Sequence, residues 1–183
     1  MQRLRGRGSE VAVRTNFRVV LIASIILATA CAGTRDGHVA TATAAQRTAQ
    51  FVTFLDEVDA AQVELQNGKA ERFKALWSRS EDVTLSGGFG GTIEKGWERI
   101  AERLDWVASQ YSNGRTQRER VVVNAGENLA YVVQHEHIVF RVPGQDTDST
   151  RDYRVTMVFR KENDAWKLVH RQADSQMQKR APQ

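Results

Sequence analysis

The stretch from Arg151 to Asp174 constrains the fold of this chain more than any other part of the sequence. Apolar and polar residues alternate along it on both sides of the break Glu162-Asn163-Asp164. Alternation with a period of two is typical of a strand with one buried face, and a short polar break between two such runs predicts a β-hairpin. A third run, Leu129 to Val142, precedes the hairpin. The C-terminal half is therefore predicted to be an antiparallel meander that the upstream residues cover.

The positive charge of the chain lies near its N-terminus. The formal net charge is +4 over 183 residues. Five arginines and one glutamate precede Cys31, and from Cys31 onward basic and acidic residues are equal in number. Nucleic-acid binding needs a clustered basic patch on the folded domain. The sequence therefore predicts no nucleic-acid partner.

The first part of the chain predicts export. An Arg-rich start, the apolar run Val19 to Ala30 and small residues at its end are typical of a secretory signal peptide over residues 1–30. The run is shorter than the ~20 residues of a membrane span. The single cysteine, Cys31, follows directly and resembles the acylated cysteine of a bacterial lipobox. We expect a cell-envelope protein with a lipid anchor at Cys31; cleavage after Ala30 or Ala32 would instead release a periplasmic or secreted form.

The remaining residues divide into a tether, one domain and a tail. Small polar residues without a period predict a flexible tether after Cys31, over residues 31–45. The domain is predicted over residues 46–176, followed by a disordered tail over residues 177–183. Apolar residues at helical spacing predict helices from Gln46 to the stop at Asn67-Gly68, over Lys69–Trp77 and over Lys95–Tyr111. The predicted strands are Val83–Leu85, Gln117–Ala125, Leu129–Val142, Arg151–Lys161 and Ala165–Asp174.

A glycine-rich segment, Gly87–Gly91, follows the first predicted strand. It lacks the lysine and serine of a phosphate-binding loop, and its glycines do not have the dinucleotide-binding spacing. Glycine allows tight backbone bends. We expect this segment to bend over the mouth of a pocket or beneath the next helix.

The order of the predicted elements resembles a known superfamily. Two helices, a short strand, a long amphipathic helix and four antiparallel strands carry the strings DVTLSGGFGG, GWERIAERLDWVASQY, RVTMVFRKENDAWKLVH and HRQAD. This pattern, over Gln46 to Asp174, resembles the SnoaL-like and ketosteroid-isomerase-like branch of the nuclear-transport-factor-2-like (NTF2-like) superfamily. The resemblance implies a cone-shaped α+β fold, in which a curved antiparallel sheet wraps around a long helix and encloses a cavity. It also implies a homodimer formed through the sheet.

The resemblance does not carry a catalytic set to this chain. Ketosteroid isomerases place an acidic base after the first short strand, a tyrosine on the first helix and a protonated acid inside the sheet. The first position here reads Ser86-Gly87-Gly88, and the first helix offers Phe51 and Phe54. The sheet positions are Tyr153, Val155, Met157 and Phe159. The family's terminal His-Arg-His-Ala-Asp also has Gln172 for its second histidine. Proton transfer by that mechanism is not expected, and no cofactor is predicted.

Counting outward from the two turns assigns the strand residues to two faces. The count pairs Val142 with Arg151 and Lys161 with Ala165. The more apolar face is predicted to line the cavity, and it carries Val132, Gln134, Glu136, Ile138, Phe140, Tyr153, Val155, Met157, Phe159, Lys167, Val169, Arg171 and Ala173. The mixed face is predicted to be the dimer surface, and it carries His135, His137, Thr156, Trp166 and His170.

The candidate ligand-binding residues are Glu136, Tyr153, Arg171 and Trp97. Glu136 is predicted beside Met157 and Val169, where apolar surroundings disfavour a charged carboxylate and suit a general base or a ligand anchor. A rim position or neutralisation by Arg171 are the alternatives for Glu136. Tyr153 either donates a hydrogen bond to a bound carbonyl or bonds the backbone in the core. Trp97 starts the apolar face of the long helix.

No metal site is predicted. His135 and His137 form a His-x-His pair of a kind that binds metals. The positions four and five residues after His137 hold Arg141 and Val142, where a metal-binding motif of that kind places glutamate. His170 is expected two strands away from His137, at roughly 9.5 Å.

The sequence thus predicts an exported domain that binds a small apolar ligand in its cavity without an assignable catalytic set. An isomerase, cyclase or dehydratase with Glu136 as base and Tyr153 as hydrogen-bond donor is one alternative. A structural dimer within the cell envelope is the other.

Overall fold

The computed structural model of the chain describes residues 43–175, 177 and 178. The predicted signal peptide, Cys31 and most of the tether lie outside the described residues, as do tail residues 179–183. Within the described part, no helix is long and apolar enough to cross a membrane.

Three helices form where apolar periodicity predicts them. They are α1, Ala44–Leu65, α2, Glu71–Ala75, and α3, Trp97–Ser109. A capping box starts α1, because the Thr43 hydroxyl accepts from the Gln46 backbone N–H and the Gln46 side chain accepts from the Thr43 N–H. Gly96 precedes α3 with a φ of 85°, a conformation that favours glycine.

Six strands form one curved sheet. They are β1, Thr84–Ser86, β2, Glu94–Lys95, β3, Ser112–Ala125, β4, Leu129–Arg141, β5, Asp148–Glu162, and β6, Ala165–Asp174. The order across the sheet is β2-β1-β6-β5-β4-β3. The four C-terminal strands are antiparallel neighbours, and the predicted α+β fold is confirmed. The sequence did not predict β2 or the parallel pairing of β1 with β6.

The predicted inner face of β4 and β5 is the buried face. Every even-numbered residue of β4 from Ala130 to Phe140 is buried, as is every odd-numbered residue of β5 from Tyr153 to Phe159. The register differs from the predicted one, because β5 already begins at Asp148, which pairs with Arg141. A shift of the register by an even number of residues keeps each residue on its face of the sheet and changes the residue that lies opposite it. Tyr153 therefore lies opposite Glu136, where the sequence predicted Met157.

A β-bulge changes the inner face of β6. The register shifts between Val158, opposite His170, and Phe159, opposite Leu168, so that Val169 is the extra residue. Leu168 is completely buried, and the prediction that Lys167 points inward was wrong, since its ammonium bonds the Ala75 carbonyl at 2.9 Å in an exposed position.

Beyond the bulge the predicted faces hold, and Arg171 and Ala173 are buried. Before the bulge, Trp166 packs on the core although the sequence placed it on the outer face. Its ring centroid lies 5.2 Å from that of Phe51. One unpaired residue is enough to exchange the faces of a strand.

The core lies between α1 and the inner face of the sheet. Phe51, Leu55 and Val58 form a buried stripe along α1, and the Phe51 ring packs edge-on against Phe159 with centroids 5.1 Å apart. One further turn along the same stripe lies Gln62, a polar residue that is 2% exposed. The helix therefore brings one amide side chain to the sheet among apolar ones.

Candidate functional site

A cavity of about 60 Å³ lies between the helices and the buried face of the sheet. Such a volume holds a few water molecules and is small beside the roughly 300–1,000 Å³ of ordinary ligand pockets, so that any ligand must be compact. Its wall is mostly apolar, with the side chains of Leu65, Phe73, Leu85, Phe89, Leu104, Val107, Ile138 and Ala173. The polar lining residues are Gln62, Gln66, Tyr111, Tyr153 and Arg171.

The glycine-rich loop covers this cavity. Gly87, Gly88 and Phe89 belong to the lining. A Cβ on Gly88 would overlap ring carbons Cε1 and Cζ of Tyr153, so the loop backbone rests directly on the Tyr153 ring. Glycine is required there for close approach, whereas the sequence predicted a bend over the mouth of a pocket or beneath the next helix.

Phe89 anchors the loop through its aromatic ring. Its centroid lies 5.3 Å from that of Trp106 and 5.4 Å from that of Tyr111. The Arg151 guanidinium stacks over the Phe89 ring at 4.3 Å, and Arg103 donates to the Gly90 carbonyl at 2.9 Å. Aromatic and cationic contacts of this kind hold a glycine-rich segment that would otherwise have many conformations.

Arg171 and Glu136 form a buried ion pair beneath the cavity. The two terminal nitrogens of Arg171 donate to the two oxygens of Glu136 at 3.3 and 2.9 Å. Gln62 and Gln134 donate to the same carboxylate at 2.9 and 2.6 Å. Arg171 lines the cavity, whereas Glu136 lies behind it.

The surroundings of Glu136 keep it ionised. Burial pushes the pKa of Glu136 upward, but the charge and hydrogen bonds of Arg171, the hydrogen bond from Gln62 and the charge of Arg118 hold the pKa below its ordinary value. The prediction that Met157 and Val169 surround Glu136 was wrong, and neutralisation by Arg171 is the alternative that the structure shows. A carboxylate with a lowered pKa and occupied oxygens is a poor general base.

The ion pair continues into a longer polar network. Gln134 accepts a hydrogen bond from Arg120, and Arg120 also donates to Asp59 on α1 at 2.7 Å. Arg118 pairs with the same Asp59 carboxylate at 3.3 Å. A continuous chain of charged and amide groups therefore links the cavity to α1.

Two tyrosines complete the polar part of the lining. Tyr153 is 3% exposed, and its hydroxyl interacts with the Tyr111 side chain. Burial raises the pKa of Tyr111 well above its ordinary value, and the neighbouring Tyr153 hydroxyl adds to this shift. Tyr111 therefore remains a neutral phenol at physiological pH.

The sequence between residues 58 and 177 matches the family of SnoaL-like domains. The match covers most of the folded unit described above. The chain belongs to the SnoaL-like family. No curated protein sequence matches it.

Solved structures support the same fold for this SnoaL-like domain. A putative dehydratase of the NTF2-like family from Streptomyces avermitilis is 18% identical, with a TM-score of 0.63 over 74% of this chain and 100% of that one. An NTF2-like superfamily protein from Salmonella enterica is 15% identical, with a TM-score of 0.62 over 73% and 93% of the two chains. An NTF2-like protein of unknown function from Shewanella oneidensis is 14% identical, with a TM-score of 0.53 over 69% and 98%. At these identities the likeness concerns the fold alone.

Two of the four candidate ligand-binding residues line the SnoaL-like cavity. Tyr153 and Arg171 belong to its wall, and Glu136 supports Arg171 from behind. Trp97 is not part of that lining. The Arg79 guanidinium stacks on the Trp97 ring at 3.5 Å, which places this tryptophan at the start of α3 in a separate contact.

Sequence reasoning missed Gln62 and the role of Tyr111. Gln62 carried a signal, because it lies four residues after Val58 and three before Leu65 on the apolar stripe of α1. A polar residue in such a stripe needs a buried partner. Tyr111 ends the predicted helix Lys95–Tyr111, and the sequence assigned it no role. Neither the slip of β5 nor the bulge of β6 carried a signal of that kind.

The histidines of the outer face do not come together. His137 lies opposite Asp152, with its Nδ1 at 2.7 Å from that carboxylate, and His170 lies opposite Val158. The predicted row of His137, Thr156 and His170 was therefore wrong. In the part of the chain that the structure describes, no three His, Cys, Asp or Glu side chains form a metal-binding group.

The contact between Gly88 and Tyr153 yields a prediction. Gly88→Ala should destabilise the domain by about 1–3 kcal/mol, because the added methyl overlaps the Tyr153 ring and overpacks the site. Gly87→Ala is the matched control, since a Cβ there meets only the Arg103 side chain at 3.6 Å, and it should change stability by no more than ~0.5 kcal/mol. Urea unfolding measures both, and equal effects of the two variants would contradict the proposed packing.

Proposed function

We propose that this SnoaL-like domain binds a small molecule with an apolar body in the cavity beneath the glycine-rich loop. The observation that carries the proposal is a cavity whose lining joins apolar side chains to buried polar groups, among them the Tyr153 hydroxyl and Gln62 Oε1. Gln62 Oε1 has no hydrogen-bond partner among the described residues. An unsatisfied buried polar atom costs about 1–3 kcal/mol, and a ligand with an O–H or N–H group would donate to this oxygen.

The remaining lining gives each part of such a ligand a counterpart. The apolar wall from Leu85, Leu104 and Ile138 accommodates a hydrocarbon body. Arg171 has five N–H donors, of which two are used by Glu136. Arg171 and Tyr153 therefore offer hydrogen bonds to the polar end of the molecule.

An enzyme with Glu136 as general base has less support. The two oxygens of Glu136 accept hydrogen bonds from Gln62, Gln134 and Arg171, so no free lone pair points to a substrate. The neighbour from Streptomyces avermitilis is named as a dehydratase, but a similarity of the fold carries no active site. We favour binding over an isomerase, cyclase or dehydratase activity that depends on Glu136.

A structural dimer is the remaining alternative. Leu129 and Tyr131 on the outer face of β4 are 56% and 39% exposed, and they suit a self-association surface. A module of that kind needs no ligand, so the binding experiment below separates the two functions.

Filling the cavity tests the proposal. Thermal unfolding in a panel of small organic molecules should identify compounds that raise the melting temperature, because a ligand that binds only the folded state stabilises it. Val107→Phe places a ring into the lining and should weaken binding of these compounds at least about tenfold by occupying their space.

The matched control is Val52→Phe, at an exposed position of α1, which should leave binding unchanged. A panel without any stabilising compound, or equal binding by the Val107→Phe variant, would contradict the ligand-binding function and favour the structural module.

We also propose that the chain is exported and anchored in the bacterial cell envelope through a lipid on Cys31. The support is the arrangement of an Arg-rich start, an apolar run and a lone cysteine at its end. In that arrangement the tether places the SnoaL-like domain close to the membrane surface.

Replacing the cysteine tests the anchor. Cys31→Ser removes the thiol that would carry the lipid and should move the protein from the membrane fraction to the soluble fraction after cell lysis. Thr34→Ser, three residues later, is the control and should leave the distribution as it is. A Cys31→Ser protein that stays with the membrane would refute the lipid anchor.

A further inference from the structure

The charged groups beneath the cavity are not balanced. Arg118, Arg120 and Arg171 carry three positive charges, and only Asp59 and Glu136 lie within 4.0 Å of them as carboxylates in the described part of the chain. The groups are connected, because Asp59 contacts both Arg118 and Arg120, and Gln134 links Arg120 to Glu136. The cluster therefore has an excess of one positive charge.

This cluster is partly shielded from water. The side chains of Arg118 and Arg171 are 11% exposed and that of Glu136 is not exposed, whereas those of Arg120 and Asp59 are 25% and 26% exposed. Burial lowers the pKa of Arg118, and the charges of Arg120 and Arg171 lower it further, while Asp59 and Glu136 act in the opposite direction. An uncompensated cation costs far more free energy in such surroundings than in water.

Arg171 is the arginine of this cluster that lines the cavity. Two of its N–H groups are used by Glu136, so that three N–H donors remain. These donors belong to a planar guanidinium whose geometry matches a carboxylate. The Tyr153 hydroxyl lines the same cavity beside Tyr111 and adds a further donor.

The glycine-rich loop beside the cavity has further positive charge in contact with it. Arg103 and Arg151 hold the glycine-rich loop through Gly90 and Phe89. Within the described ranges, neither guanidinium has a carboxylate within ion-pair distance. Positive groups at the mouth of a cleft attract anions and accelerate their association.

We infer that the ligand of this cavity is a monoanion, a small molecule with a compact apolar body, a carboxylate at one end and a hydroxyl group that donates to Gln62 Oε1. Its carboxylate would bind Arg171 and Tyr153 and would bring the cluster of Asp59, Arg118, Arg120, Glu136 and Arg171 to electrical neutrality. The inference rests on the proposed binding function and specifies the chemical class that the cavity selects.

Pairs of probes that match in shape and differ in charge test this inference. Acetate with acetamide and isobutyrate with isobutyramide have matched shapes in two sizes, and calorimetric titration of the whole chain at neutral pH measures their dissociation constants. The carboxylate of at least one pair should bind about tenfold more tightly than its amide, or better, because a partly buried charge pair is weakly screened.

Two variants identify the source of the preference. Arg118→Gln removes the excess charge without changing the cavity lining, and it should reduce the ratio of carboxylate to amide affinity to about threefold or less. If that variant does not fold, Arg151→Gln beside the glycine-rich loop should lower the association rate of the carboxylate about threefold in stopped-flow measurements. The control Arg154→Gln, on an arginine paired with Asp174 on the outer face, should leave the ratio as it is in the native chain.

The outcomes separate this inference from the function on which it rests. Equal or tighter binding of the amides overturns the anionic class and leaves a neutral-ligand cavity. If Arg118→Gln and Arg151→Gln both leave the preference for carboxylates intact, the charge cluster is not the cause of that preference. Absence of binding by all four probes overturns the inference, and the cavity-filling experiment then decides whether the binding function falls with it.

Discussion

The buried ion pair of Glu136 and Arg171 is the interaction on which the interior of this domain depends. Removing a carboxylate from water costs several kcal/mol, and the pair offsets this only if hydrogen bonds satisfy both oxygens. Gln62 from α1, Gln134 from β4 and Arg171 from β6 provide those bonds. The pair thus connects α1 to β4 and β6, the two strands that flank β5. It also fixes the guanidinium that faces the cavity.

On the side of the cavity away from the ion pair, close packing contacts rather than charges determine its shape. The glycine-rich loop reaches the Tyr153 ring because Gly88 has no side chain, and Phe89 keeps the loop in place through Trp106 and Tyr111. The result is a small space with one apolar wall and a few hydrogen-bond donors. Such a space suits a compact molecule with few polar groups.

Much of the fold could be predicted from the sequence, because alternation and helical spacing report which side of an element is buried. The inner faces of β4 and β5 followed from this pattern, and so did the inward positions of Tyr153 and Arg171. The neighbours of Glu136 did not follow, because they depend on where β5 begins and on one bulged residue, Val169. Alternation alone does not specify register. A glutamate that looked like a candidate base is consequently the partner of an arginine, and a buried acceptor without a partner among the described residues lies on Gln62.

The ionisation of Glu136 tests this account most directly. Because its pKa is lowered in the folded state, the stability that the pair contributes is complete above the pKa of unfolded glutamate and is lost as the pH falls through the folded value. Carbon-13 NMR of the glutamate side-chain carboxyls during an acid titration should show Glu136 with a pKa below its ordinary 4.5. Replacement of Arg171 by methionine should raise that pKa, since burial then lacks its compensation. If the pKa of Glu136 in the native chain lies at or above the ordinary pKa of glutamate, its carboxyl is not paired with Arg171. That result would contradict the account.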